Sequence, residues 1–359
     1  MSGSLTPAYA QLCAWPSLWQ AWQRASRGRR GRPSTAGFAW GVADHLLALQ
    51  DRLLALAWQP APYTRFIIHE PKRRVISAAA LADRVVHHAL CAVIEPRFER
   101  VFIADSFANR LGKGTHRAIA RCQALAREHP YVLRMDVRQH FPSLDHALLL
   151  AALARHVPEP DVMALIERIV ASGATPAEHA PEPQWFAGDD LLAPARPQGL
   201  PIGNLTSQCW SNVYMHGLDL FVQRSLRCGA YLRYVDDFAL FSHSKAELWG
   251  WRRAIIERLA QMRLRAHEAQ AQVARSVDGI PWLGLQVFPD RLRLKARKIS
   301  QARQRLGAAY GELMDGAISF AEFDARVQSW LAHAALADPH GGLRERVMAP
   351  YLWPVGARR

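Results

Sequence analysis

The sequence predicts an α+β fold organised around a split βαβ unit. Tyr131-Val132-Leu133-Arg134-Met135 is an apolar run of strand length that ends at Asp136 and leads into a helical pattern. Two further apolar runs, Tyr231 to Val235 and Phe238 to Phe241, are separated only by Asp236-Asp237, so they read as a hairpin with acids at its tip. A helix and more strand-like sequence follow, which gives the order strand–helix, then hairpin–helix–strand. In that arrangement Asp136 and the hairpin tip can face each other.

The 359 residues suffice for two or three subdomains, and 50% of them are hydrophobic, which excludes a disordered chain. Lys and Arg number 45 against 31 Asp and Glu, a formal charge of +14 that favours a polyanion as partner, nucleic acid ahead of an acidic membrane surface. Arginine carries most of the excess and suits forked phosphate contacts. Five cysteines without a C-x-x-C pair fit a reduced, cytoplasmic setting. No apolar run is long enough to span a bilayer, and the N-terminus lacks a signal-peptide pattern. The histidines offer no H-x-x-x-H on a helix with an acid nearby, and adjacent His87-His88 point to different faces, so a zinc hydrolase is excluded.

Along the chain, Trp15, Trp19 and Trp22 have helical spacing and precede the basic run Arg24 to Arg32. That run reads first as solvated surface and second as a nucleic-acid backbone contact. Leu46, Leu49, Leu53 and Leu56 mark one face of a helix over 38–57. Two extended pieces then flank Pro71-Lys72-Arg73-Arg74, a cationic turn that by itself reads first as solvated surface and second as a grip on triphosphate oxygens. A helix over 80–98 leads to the basic loop Ser106 to His116, where Phe107 replaces the first glycine that a Walker A loop needs. Ser143 or Asp145 can cap the helix marked by Leu148, Leu149, Leu153 and Val157. Residues 173–198 are rich in Pro, Gly and Ala and read as a surface excursion, with Asp189-Asp190 as a solvated pair. Gly199 to Asn204 forms a rigid turn that opens a helix at Thr206. Another helix covers Lys245 to Met262, strand-like pieces cover 281–288 and 292–295, and the chain from Lys298 is helical and basic at its start.

A lone Asp-Asp pair on a hairpin is ordinary turn chemistry. Asp136 changes that reading, because three converging carboxylates repel one another unless cations neutralise them. Oxygen ligands of this kind suit Mg²⁺, and two ions about 3.5–4 Å apart would serve an attacking hydroxyl and a leaving pyrophosphate.

At these residues the chain resembles the reverse transcriptases. Asp136-Val-Arg-Gln-His-Phe141 is similar to their first catalytic motif and Tyr234-Val235-Asp236-Asp237 to their second. The Lys72–Arg74 turn resembles the fingers motif that holds the incoming triphosphate, and Ser106–Thr115 the adjoining template-side motif of bacterial members. Gly284 fits the primer-grip turn, and Ser329 to His333 a thumb helix. The resemblance runs from about residue 38 to 335, with the motifs in order. It implies a right-hand polymerase with an N-terminal extension over 1–35, fingers over 36–130, a palm over 131–289 and a thumb over 290–359. It also implies Asp136, Asp236 and Asp237 as catalytic metal ligands with the Val137 backbone, two Mg²⁺ ions or Mn²⁺, and dNTP contacts from Lys72, Arg74, Phe141, Ile202, Gly203 and Gln208. Phe141 stands where the family places its steric gate against a ribose 2′-OH.

Ile202-Gly203-Asn204-Leu205-Thr206-Ser207-Gln208 departs from the usual Gln-Gly…Ser-Pro pattern. This form resembles the reverse transcriptases of diversity-generating retroelements, which copy a template RNA with errors at adenines. Partners implied are template RNA, cDNA or primer, dNTPs and a small helical accessory protein, in a bacterial or phage-encoded cytoplasmic protein with no membrane role. A retron, group II intron-like or phage-defence enzyme is the first alternative, and a non-catalytic RNA-binding protein of polymerase fold is the second. No maturation, endonuclease, RNase H or integrase pattern follows residue 345, which counts against intron and retroviral types. Gln270 stands where many relatives carry a lysine thought to protonate pyrophosphate.

Overall fold

The computed structural model describes residues 5–29, 31, 33–69, 74–176 and 179–352. The chain begins with α1 (Pro7–Cys13), α2 (Trp15–Ser26), α3 (Pro33–Ala39) and α4 (Val42–Leu54). The Thr6 side chain accepts from the Tyr9 amide to cap α1, and Pro7 fills the first turn, where a missing N–H costs nothing. Trp22 is buried while Trp19 is exposed, so the face marked by the tryptophan spacing packs inward only in part. Leu46, Leu49 and Leu53 are fully buried on α4. Leu56 does not extend that stripe: it lies past the helix end at φ 55° and is exposed.

Next come β1 (Thr64–Ile68) and β2 (Arg74–Ala78), an antiparallel pair in which Ile68 faces Arg74. Lys72, expected at the tip between them, lies outside the described residues, as do Arg30, Arg32 and Arg73. The long α5 (Leu81–Glu99) and α6 (Thr115–Glu128) lead into β3 (Tyr131–Asp136). Three helices follow, α7 (His140–Ser143), α8 (His146–Ala154) and α9 (Pro160–Ser172). Asp145 caps α8 through the Leu148 amide at 3.0 Å. After the excursion come α10 (Leu205–Leu220), which runs on into a π-helical turn over Phe221–Ser225, then β4 (Tyr231–Tyr234), β5 (Asp237–Ser242), α11 (Lys245–Gln261) and β6 (Val273–Arg275).

These strands form one antiparallel sheet in the order β4-β5-β3-β6. The first strand thus lies between the returning hairpin and the last strand, which is the split βαβ topology expected. β6 carried no sequence signal of its own; three residues are too few for a period to show. A second small sheet follows, β7 (Ile280–Trp282), β8 (Leu285–Val287) and β9 (Leu292–Leu294). The single strand expected over 281–288 is therefore a hairpin, broken at Leu283 and Gly284 with φ 45° and 89°. The helices α12 (Ala296–Met314), α13 (Phe320–Ala335) and α14 (Gly342–Leu352) end the described chain and enclose their own apolar cluster of Leu306, Phe323, Val327 and Val347.

The main core joins α1, α2, α4 and α5 to the inner face of the four-stranded sheet and to α8–α11. A second core, with Phe241, Trp282 and Leu285, lies between the other face of that sheet, α6 and the small sheet. All five cysteines are buried and free. Among the described residues no helix is long and apolar enough to cross a membrane.

Candidate active site

β3 buries Val132, Leu133 and Met135 and delivers Asp136 at its end. Asp237 opens β5 and is the register partner of Asp136. Because Tyr234 pairs with Asp237, the turn consists of Val235 and Asp236 alone, displaced by one residue from the Asp-Asp tip expected. Val235 sits at φ 59°, a left-handed conformation that β-branched residues avoid. Its carbonyl accepts from Arg233 Nη1 at 3.0 Å, and Asp236 O accepts from the Val137 amide at 3.3 Å. The three aspartates are therefore gathered by strand register and by a turn held at both of its carbonyls.

Burial pushes the Asp236 carboxyl up to about 7, Asp136 and then Asp237 push the same way, and Arg74 opposes them. A neighbouring cation would reverse that shift. Asp237 faces another environment, with Arg134 Nε 3.5 Å from its Oδ1. Lys295 stands nearby, its amine lowered by burial, then by Arg134 and Lys298, with Asp237 opposing. His267 donates its amide to Asp136 O at 2.9 Å and holds Nε2 3.9 Å from Asp136 Oδ2.

Asp136 and Asp236 edge an open cavity of about 640 Å³. Among the described residues no three His, Cys, Asp or Glu side chains close into a metal cage. An open edge of carboxylate oxygens suits a hard cation such as Mg²⁺, which keeps waters and takes oxygens from a phosphate substrate instead of a full protein shell. Asp237 and the Val137 backbone adjoin that edge.

Arg74, Phe141 and Ile202 line the same cavity. Ile202 O accepts from the Ser77 amide at 3.1 Å, which ties the turn before α10 to β2. Gly203 adopts φ 111°, a conformation that favours glycine, and a Cβ there would lie 3.3 Å from Ile76. Gln208 is half-buried on α10 and lies off the cavity wall, unlike Ile202. Gln270 is exposed and also off the wall, whereas His267 is on it.

The excursion over 173–198 differs from its sequence reading. Thr175 and His179, in the supposed surface excursion, line the cavity. Asp189 is not a solvated acid: it pairs with Arg196 at 2.8 Å and its side chain is 4% exposed, while Asp190 is exposed and caps the Leu192 amide at 2.9 Å. The Ser106–His116 loop spends its arginine internally, since Arg110 grips Glu99 and donates to Ile103 O and Ser106 O. Thr115 Oγ1 meets Tyr234 OH at 3.0 Å and links that loop to the hairpin. The Gly284 turn faces His333 of α13, so the expected grip and helix residues are neighbours. No single-sequence signal marked Thr175, His179 or His267, because their place depends on contacts between distant segments.

A split βαβ sheet with acids at adjoining strand ends above an open cavity is the arrangement of a right-hand polymerase. The profile of the reverse transcriptase (RNA-dependent DNA polymerase) family matches residues 69–287, more than half of the sequence, and the chain belongs to that family. Protein YkfC of Escherichia coli is 24% identical over 294 residues, covering 70% of this chain and 73% of its own. An uncharacterized 91 kDa protein in the cob intron of Schizosaccharomyces pombe is 23% identical over 151 residues, 42% of this chain and 17% of its own. Among solved structures, apo telomerase from Candida tropicalis matches with a TM-score of 0.50 and 11% identity, over 68% of this chain and 50% of that one. The likeness to telomerase is one of fold, and this chain spans half of the telomerase chain.

Proposed function

We propose that this chain is a catalytically competent RNA-directed DNA polymerase that copies a template RNA into cDNA. The observation that carries the proposal is the gathering of Asp136, Asp236 and Asp237 at adjoining strand ends, with Asp236 raised to about 7 by burial and by the other two. That field favours a divalent cation, and Asp136, Asp236, Asp237 and the Val137 carbonyl would hold it. When bound, the ions supply charge neutralisation for the attacking 3′-hydroxyl and the leaving pyrophosphate. The protein's own work is positioning. Arg74 approaches the triphosphate from β2, and Lys72 is assigned to the same phosphates by its likeness to the fingers motif. Phe141 excludes a ribose 2′-OH, and Ile202 and Gly203 pack near the nascent base pair. Gln208 acts at one remove, from α10. The working division is an N-terminal extension over 1–35, fingers over 36–130, a palm over 131–289 and a thumb over 290–359.

Primer extension on an RNA template with Mg²⁺ tests this reading, comparing wild type with Asp236→Ala. Full extension by the variant would overturn the catalytic assignment.

The biological setting we infer is a diversity-generating retroelement. Ile202 lines the cavity and offers no side-chain amide to steady the template base or the sugar. Looser pairing opposite adenine follows, and Ile202→Gln should lower misincorporation there. Unchanged fidelity would remove the support for this setting. A small helical accessory protein that binds polymerase and RNA belongs to the same inference, and co-purification with the template RNA tests it.

A further inference from the structure

The segment leaving the excursion is bonded to the backbone around Phe141. Leu200 donates its amide to Phe141 O at 2.8 Å, and Gly199 donates to Leu144 O at 2.7 Å. The two ends of the excursion are closed on each other by the Thr175 amide and Gln198 O at 2.9 Å. His146 contributes twice, through its amide to Pro197 O at 3.1 Å and through Nε2 to Gly199 O at 2.8 Å. The packing is tight enough that a Cβ on Gly199, which sits at φ 95°, would fall 1.8 Å from Thr175 Oγ1 and 3.1 Å from Pro142 O.

A shared ion network anchors the excursion beyond these ends. Arg196 lies between Asp189 at 2.8 Å and Asp145 at 3.7 Å, and Arg263 reaches the same two acids at 3.7 Å and 2.6 Å. Both aspartate side chains are at most 4% exposed. Arg196 also donates to Gln184 O at 2.9 Å and lies over the Phe186 ring. A surface loop with no task has no reason to desolvate two carboxylates, because such burial is costly unless pairing offsets it.

Thr175 and His179 share the cavity wall with Phe141 and Asp136. We propose that this docked excursion is a specificity element: it braces Phe141 against the sugar of the incoming nucleotide and so sets selectivity for deoxynucleotides over ribonucleotides. The inference rests on reading Phe141 as a steric gate. A ring excludes a hydroxyl only if its backbone cannot retreat, and a shift of about 1 Å is enough to lose such discrimination. The bonds from Leu200 and Gly199 prevent that retreat. His179 adds an imidazole on the same side, able to donate to a nucleotide oxygen.

The test is incorporation of dNTP and of rNTP on an RNA template by wild type, Phe141→Ala, His146→Leu, His179→Ala and Arg196→Gln. His146→Leu and Arg196→Gln should lower the dNTP/rNTP ratio of kcat/KM by about tenfold, through a lower KM for rNTP, while kcat for dNTP stays within about threefold. His179→Ala should raise KM for both nucleotides. Phe141→Ala should lower the ratio further than any brace variant. If Phe141→Ala leaves the ratio unchanged, the gate reading fails and the brace has no object. If Phe141→Ala collapses the ratio while the brace variants, folded by thermal melting, keep the wild-type value, the inference is overturned. Should Arg196→Gln fail to fold, His146→Leu decides alone, since it removes the side-chain bond to Gly199 O and leaves the ion network intact.

Discussion

Arg233 and Asp219 form a two-pronged ion pair inside the protein, Nε to Oδ1 and Nη2 to Oδ2 each at 2.7 Å, with both side chains 0% exposed. The remaining arm of Arg233 reaches Asn212 Oδ1 at 3.1 Å and the Val235 carbonyl at 3.0 Å. Asn212 in turn donates to Ala108 O at 2.8 Å, so one guanidinium joins α10, the Ser106–His116 loop and the acidic hairpin. Breaking one side of such a pair leaves a buried charge, so Arg233→Met should destabilise the fold by about 3–5 kcal/mol. Arg233→Met with Asp219→Leu should recover most of that loss. Urea denaturation measures both, and equal stability of the single and double variants would refute the coupling.

Val235 stores strain at φ 59°. Glycine accepts that conformation freely, so Val235→Gly should leave stability unchanged or raise it by about 1 kcal/mol. The same change loosens the turn that presents Asp236, and extension should slow. A melting curve paired with a primer-extension rate separates the two effects.

Asp236 is an acid whose folded pKa is raised to about 7. The unfolded state therefore releases this proton first, and in the absence of divalent cations the group's contribution to stability falls as pH rises from about 4 to 7. Asp236→Asn should flatten that part of the profile and make the cation-free protein more stable at pH 8. Added Mg²⁺ should raise the wild-type melting temperature and raise that of Asp236→Asn much less. Thermal melts with and without Mg²⁺ measure both, and identical shifts would remove Asp236 from the cation site.

His87 and His140 are buried imidazoles whose pKa values burial lowers to about 3. Neither accepts a proton in the folded state until pH approaches 3, while the unfolded chain takes both near 6.5. Stability should fall as pH drops below about 6.5, with these two groups contributing down to pH 3. His140 bonds Ser211 Oγ at 2.7 Å through Nε2, whereas neither ring nitrogen of His87 has a protein partner in the described structure. His87→Leu is thus the cleaner variant. It should reduce the acid slope without costing stability at pH 7, and an unchanged slope would reject the assignment.

Much of the sheet was readable because alternation and strand length are local properties. Val132, Leu133 and Met135 announce β3, Asp136 ends it, and Tyr231 to Phe241 announces a hairpin with acids. Leu46, Leu49 and Leu53 likewise fix a helix face, although Leu56 shows that a period says little about where a helix stops. The order of these elements implied the split topology, and the ordered motifs implied the family.

The tertiary structure decided what depends on pairing between distant residues. Cross-strand register placed the turn at Val235-Asp236, and it set Asp237 toward Arg134 while Asp136 and Asp236 met the cavity. Asp145 and Arg263, far apart in the chain, docked an excursion whose composition reads as loop, and α10 turned Gln208 off a wall that Ile202 occupies. A sequence pattern reports which face of an element is apolar, because that follows from the residue period. It does not report which charges become desolvated together, because burial and ion pairing arise only when segments pack. Sequence alone thus determined that acids lie at adjoining strand ends; packing decided which of them face the cavity and what encloses them.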